Sequence, residues 1–407
     1  MGLEKLSVLL DSALVELRRV GTGKGAEHVV TGIKEPSDGN GPRCYLAGYG
    51  KREFLRMNSN SYLGLSLHPQ VIEAEEEAAR IFGTGPGAVR FISGTCEPHV
   101  ELESRLARFH GREAAMIFSA AYAAVMGILP QLITDETFVI SDALNHNCII
   151  NGIRLARPAG KLIYRHVDMN DLEAKIKGSA GHAKRLLVVT DGIFSMRGDY
   201  APLHEIAAIC SRYEDDFAQG IITVVDDSHG VGAFGRTGRG VEEQTGARAD
   251  ILVATLGKAF GVNGGYVTAN RTLIDYFRET SPFYVYSNPI TPSEAAAASR
   301  ALELLDSSAG LQLLASLRRL TDGLQKGFLG AGYEIIAGEH PIVPLMIRDS
   351  ARTAALVKYF FENNILATGL NYPVVPKNDE EIRFQVAANH TEQDIACVIG
   401  VLAGFDK

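Results

Sequence analysis

The feature that most narrows what this chain can become is an alternation of short β-branched runs with amphipathic helical stretches, from about residue 61 to 290. The runs read AAMIFS, TFVIS, KLIYRH, RLLVVTDGI, GIITVVDD and ADILVATLG, and segments such as PLHEIAAICSRYEDD lie between them. Parallel strands need a crossover and a helix supplies it, so the expected fold class is α/β with a mostly parallel central sheet.

The flanks have a different texture. Leu3, Leu6, Leu9, Leu10, Leu14 and Leu17 form one stripe of a helix over residues 3–20, followed by a glycine-rich polar segment to about Gly50. After Pro292 come two long helical patterns, SEAAAASRALELLDS and GLQLLASLRRLTDGLQKGFLG, then the strand patterns PIVPLMIR and EIRFQVAA. At 407 residues the chain exceeds what one core usually serves. The expected organisation is an N-terminal arm (1–60), a large catalytic domain (61–290) and a smaller α+β domain (291–407).

A net charge of -8 with no long Lys/Arg run argues against nucleic acid or a membrane surface as partner. The longest apolar stretch, Ala120 to Ile133, contains Pro130 and falls short of the roughly 20 residues that span a bilayer, so a buried helix is expected there. Five scattered cysteines without a CxxC pair fit a reducing compartment, and neither a disulfide framework nor a metal site is expected. The N-terminus mixes charges through its apolar pattern, unlike a signal peptide, which gives a cytoplasmic reading.

Two segments carry most of the chemistry. In ILVATLGKAFGVNGGYV an apolar strand ends at Thr255 and Gly257, delivers Lys258, and enters a glycine-rich turn. In GIITVVDDSHGVGAFGRTGRG a second strand delivers Asp226 and Asp227 at its carboxyl end, with His229 just beyond, where α/β sheets place ligands. A buried carboxylate there needs a cationic partner. The protonated pyridine nitrogen of pyridoxal phosphate is one, and the carboxylate keeps that ring an electron sink. Asp226 is the residue chosen for it. Lys258 alone reads as an ordinary solvated strand-end lysine, and its neighbours are what favour chemistry.

The literal GxGxxG at residues 230–235 raises a dinucleotide site, but it leads into RTGRGVEEQTG, which has no helical stripe. Ser119 to Tyr122 begins a helix whose free N–H groups form an anion site, or bind only water. His146, in SDALNHNCII, either caps a helix or lies over an aromatic ring. Arg383, in EIRFQVAA, either reaches a carboxylate or faces water from an edge strand. Ser287, in YVYSNPITP, also suits a phosphate-bearing cofactor.

Taken together, NSNSYLGL, AVRFISGT, SDALNHNCIINGIRL, TDGIFSMRGD, VVDDSHGVGAFGRTGRG, TLGKAFGVNGGY and YPVVPK resemble the α-oxoamine synthases, fold-type-I pyridoxal-phosphate enzymes, from about residue 55 to the C-terminus. The resemblance implies that Lys258 carries the cofactor as a Schiff base, Asp226 pairs with the pyridine nitrogen, His229 bonds the phenolic oxygen and His146 stacks on the ring. It implies a phosphate held by Ala121 and Tyr122 N–H groups, Thr255, and Ser287 with Asn288 from the second subunit of a homodimer. Ser195 would lie near the phenolic edge, Asn60 and Arg383 would hold the amino-acid carboxylate, and Val89 would lie near the substrate side chain. Ala120–Ala121 and Asn147–Cys148 depart from the family's usual pairs.

The implied activity is condensation of a small amino acid, glycine or L-alanine, with an acyl-CoA, releasing CoA. An aminotransferase would keep Lys258 and Asp226 but return the amino group to the cofactor. A non-catalytic partner subunit would have lost the lysine, and Lys258 is present.

Overall fold

A computed structural model of the chain describes residues 2–19, 23, 25–372 and 375–405. Pro373 and Val374, within the YPVVPK motif, lie outside the described residues, as do small parts of the N-terminal arm. The chain divides into two compact units. The larger comprises residues 60–318 and 339–341, and the smaller comprises the preceding segment, 319–338 and the remainder from 342.

The larger unit is built on a seven-stranded sheet. Its spatial order is Ala114–Phe118, Gly265–Ala269, Ile251–Thr255, Ile221–Asp226, Arg185–Asp191, Thr137–Asp142 and Gly160–Tyr164. The last five run parallel to one another, and Gly265–Ala269 is antiparallel to both neighbours. All six runs expected from the sequence are strands. The one not anticipated, Gly265–Ala269, follows a glycine-rich turn that hides it. Its residues are all buried.

Helices cover the sheet because strand residues such as Leu187, Val189, Val224 and Val253 are fully or almost fully buried and need apolar partners. The helix Ala121–Leu132 supplies some of them through Val125, Ile128 and Leu129, and Pro130 sits in its last turn. On the other side, Leu172, Ile176 and Ile206 pack with Ile140 and Val188. The GxGxxG stretch opens no long helix. It folds as a turn, with Val231 bridged to Arg239, and only the five-residue helix Val241–Thr245 follows.

A boundary expected at residue 290 falls elsewhere. The helix Pro292–Leu305 packs on the helices Pro69–Phe82 and Glu97–Phe109 and so belongs to the larger unit, and the division comes inside the helix Ser308–Gly330. In the smaller unit a four-stranded antiparallel sheet runs Glu334–Ile335, Ile342–Met346, Glu381–Gln385, Thr368–Leu370. Arg383 therefore stands on an interior strand, half-buried, and the edge-strand reading does not hold. The N-terminal helix Gly2–Arg19 forms as expected, but none of its residues is buried.

Candidate active site

Parallel strands aim their carboxyl ends the same way, so the loops leaving them gather at one edge of the sheet. Five do so here. They follow Phe118, Asp142, Asp191, Asp226 and Thr255, and they bring Ala121, Tyr122, His146, Ser195, Asp226, His229, Thr255 and Lys258 to the walls of a single cleft. Cys148, Asp191 and Ser228 line it as well.

Asp226 ends its strand with its carboxylate held on both oxygens. The N–H and hydroxyl of Ser228 donate to Oδ1 at 3.1 and 2.5 Å, and the Cys148 thiol donates to Oδ2 at 3.6 Å. The adjacent Asp227 points elsewhere, because side chains alternate along a strand. It is fully buried, accepts the Val241 N–H at 2.7 Å, and burial pushes its carboxyl well above the usual range. A Cβ at Gly230 or Gly240 would run into that carboxyl, so Asp227 pins the turn that carries His229.

His146 is both cap and cleft residue. Its Nδ1 accepts the Cys148 N–H at 3.3 Å at the start of the helix Asn147–Leu155, and Cys148 Sγ lies 2.9 Å away. An accepting Nδ1 places the ring proton on Nε2. Burial lowers the imidazole's affinity for a second proton, with Asp226 opposing and Lys258 assisting. The His146 N–H donates to Asp191 Oδ2 at 3.0 Å. Burial first, then the Asp226 and Asp191 charges, keep the Cys148 thiol neutral.

His229 is oriented from behind. Its Nδ1 lies 2.7 Å from the Tyr62 hydroxyl, and its carbonyl oxygen accepts from His340 Nε2 at 2.9 Å. Asn60 is one link further out, accepting from the same Tyr62 hydroxyl at 3.3 Å.

The helix Ala121–Leu132 starts at this edge with no side-chain cap. Its first N–H groups are left to whatever enters the cleft, which is the arrangement that holds phosphate. Gly265, on the neighbouring strand, makes the approach possible, since a Cβ there would lie 2.1 Å from Ala121 N. The Thr255 hydroxyl donates to Gly264 O and accepts the Gly257 N–H, both at 3.1 Å, and so fixes the turn around Lys258. An uncapped helix start, a buried carboxylate and a lysine within one cleft suit an anionic group attached to a cationic ring. Pyridoxal phosphate has that composition.

Asn60, Val89, Ser287, Asn288 and Arg383 are not among the cleft's lining residues. Val89 precedes the turn Arg90–Gly94, where Arg90 is buried in a two-pronged contact with Glu103 at 3.1 and 3.2 Å. Ser287 and Asn288 lie in the loop after the helix Pro282–Val285, next to Tyr286, which is 80% exposed. Arg383 belongs to the smaller unit. Sequence reasoning missed Asp191, Cys148, Ser228 and Tyr62. Asp191 carried the signal used for Asp226, a carboxylate at the end of a buried strand. Among the described residues no cluster of His, Cys, Asp or Glu could hold a metal ion, and no helix is long and apolar enough to cross a membrane.

Residues 52–402 match the family of class I and II aminotransferases. The human mitochondrial 2-amino-3-ketobutyrate coenzyme A ligase is 40% identical over 97% of this chain and 90% of its own. The 8-amino-7-oxononanoate synthase of Geobacter metallireducens is 38% identical over 90% of this chain and 92% of its own. Among solved structures, the serine palmitoyltransferase of Sphingomonas wittichii superposes with a TM-score of 0.88 at 27% identity, over 99% of this chain and 97% of that one. A high-resolution structure of SPT with PLP gives 0.88 at 26%, over 99% and 98%. The chain belongs to the class I and II aminotransferase family and, within it, to the α-oxoamine synthases, which depend on pyridoxal phosphate.

Proposed function

We propose that this chain joins glycine or L-alanine to an acyl-CoA and releases CoA, in the manner of a glycine C-acetyltransferase. The observation that carries the reading is the meeting of Lys258, Asp226, His146 and an uncapped helix start in one cleft. Bound there, pyridoxal phosphate supplies an electron sink for charge developing at the amino acid's α-carbon.

The remaining roles fall to the chain's own side chains. Lys258 Nζ would hold the cofactor and would serve as the general base for the α-proton. Asp226 would hold the proton of the ring nitrogen, and its Ser228 bonds keep the carboxylate from turning. His146, on the cleft wall, would lie against the ring and could offer its Nε2 proton to the acyl oxygen. His229 and Ser195 serve the phenolic edge, while Ala121, Tyr122 and Thr255 hold the phosphate. By resemblance to the family, Asn60 and Arg383 would hold the substrate carboxylate, with Val89 near its side chain.

A homodimer is part of the proposal. Ser287 and Asn288 do not line the cleft of their own chain, as residues serving a second subunit's site would not. A cytoplasmic location is also proposed, supported by five cysteines that are all free. The human relative's name places that protein in mitochondria.

The test is thiol release from acetyl-CoA and longer acyl-CoAs in the presence of glycine, L-alanine or L-serine. Release that requires both glycine or L-alanine and a thioester supports the reading. Amino-group transfer to a keto acid without thiol release overturns it. A decarboxylating reaction is the second reading, favoured by the comparable identity of the 8-amino-7-oxononanoate synthase. Carbon dioxide released along with CoA would select it.

A further inference from the structure

Asp191 and Asp226 are partners across adjacent parallel strands, each the last residue of its own, and both line the cleft. They are 4% and 6% exposed. Two neighbouring carboxylates withdrawn from water cannot both be charged without a large penalty, so one of them holds a proton. Their hydrogen bonds decide which. Asp226 receives three donors, two from Ser228 and one from Cys148. Asp191 receives one, the His146 N–H on Oδ2, and among the described residues its buried Oδ1 has no partner at all.

We propose that Asp191 stands in the cleft as a neutral carboxylic acid beside the Asp226 carboxylate, and that its Oδ1 is an O–H donor to an acceptor atom of the bound cofactor. The proposal rests on the cofactor reading above. It gives the cleft one negative charge against one cationic ring, where two would bind the ring too tightly to one form and repel the phosphate.

Every charged or titratable group facing Asp191 bears on its proton. From the neighbouring strand the Asp226 charge favours the acid, and from the end of Thr137–Asp142 so does Asp142. From the loop after Thr255 the Lys258 charge opposes it, as does the backbone N–H of His146. Cys148, on the same helix as that N–H, is itself neutral. Burial outweighs the opposing pair, so the Asp191 carboxyl lies well above the usual carboxylate range. An unpartnered buried oxygen is costly, and a donor to the cofactor removes that cost when the cleft fills.

Asparagine has the shape of the protonated acid. Its oxygen can accept the His146 N–H and its amide can donate where Oδ1 stands, whereas an ionised carboxylate has no such mimic. The experiment compares wild type, Asp191→Asn and Asp191→Ala by titrating cofactor-free protein with pyridoxal phosphate, following its absorbance against pH. A neutral acid predicts affinity within about threefold of wild type and an unchanged pH profile for Asp191→Asn. It predicts a loss of about tenfold or more for Asp191→Ala, the equivalent of one hydrogen bond.

Difference infrared spectra of the cofactor-free proteins, wild type minus Asp191→Asn, add a readout that needs neither cofactor nor the alanine variant to fold. A protonated-carboxyl C=O stretch at neutral pH supports the proposal. Only carboxylate bands there, or an Asp191→Asn affinity as poor as that of Asp191→Ala, overturns it. Failure of wild type to bind pyridoxal phosphate would instead remove the cofactor reading, and the infrared result would stand apart from it.

Discussion

The Tyr62 hydroxyl lies 2.7 Å from Nδ1 of His229, both side chains buried, with Tyr62 behind the cleft wall that His229 lines. The hydrogen bond between them fixes the imidazole's tautomer and its orientation. Tyr62 thereby selects which ring nitrogen can donate to a ligand.

Tyr62→Phe removes that selection. The expected outcome is a loss of about 1–2 kcal/mol in stability or cofactor affinity, with the bound cofactor's absorbance shifted. Absorbance titration and thermal melts of the two proteins check it.

His166 is held between Asp142 and Asp199, at 3.0 and 3.1 Å, and Asp199 also accepts from Arg197 at 3.0 Å. The bridge ties the loop that delivers His146 to the turn that carries Ser195. Burial acts to lower the imidazole's proton affinity, but hydrogen bonds to the two carboxylates outweigh it and raise the pKa from 6.5 to about 9. A raised value means the stabilising cation is fully in place below the unfolded pKa, near 6.5, and is lost as pH rises toward 9. Melting temperature is therefore expected to fall between pH 7 and 9.5 by more in wild type than in His166→Gln. Equal slopes would contradict the bridge.

Gly265→Ala tests the phosphate cradle. The new Cβ would meet Ala121 N at 2.1 Å and Ala121 Cα at 2.4 Å, backbone atoms that cannot swing aside. Overpacking of this kind costs about 1–3 kcal/mol, and it displaces the helix start that faces the cleft. Affinity for pyridoxal phosphate should fall about tenfold or more. Equilibrium dialysis against the cofactor measures it.

Much of this was legible in the sequence for a physical reason. Strands buried on both faces read as unbroken apolar runs, and their carboxyl ends mark where ligands sit, so Asp226, His229 and Lys258 could be picked from two segments. The Gly265–Ala269 strand escaped because glycine-rich turns mask the start of a short strand. Tyr62 and His340 escaped because they reach His229 from 167 and 111 residues away. Cys148 looked like any scattered cysteine until the fold set it between His146 and Asp226. Asp191 is legible in the same way, as a carboxylate at the end of a buried strand. The leucine stripe of Gly2–Arg19 signalled a helix correctly, yet nothing in the pattern revealed that this chain alone leaves it uncovered.

The most direct test of the central claim is to treat the protein with pyridoxal phosphate, reduce it with borohydride, and locate the modified peptide by mass spectrometry. The account predicts one pyridoxyl group per chain, on Lys258, and none on the Lys258→Ala variant. A label on another lysine with Lys258 unmodified, or no label in wild type, would contradict it.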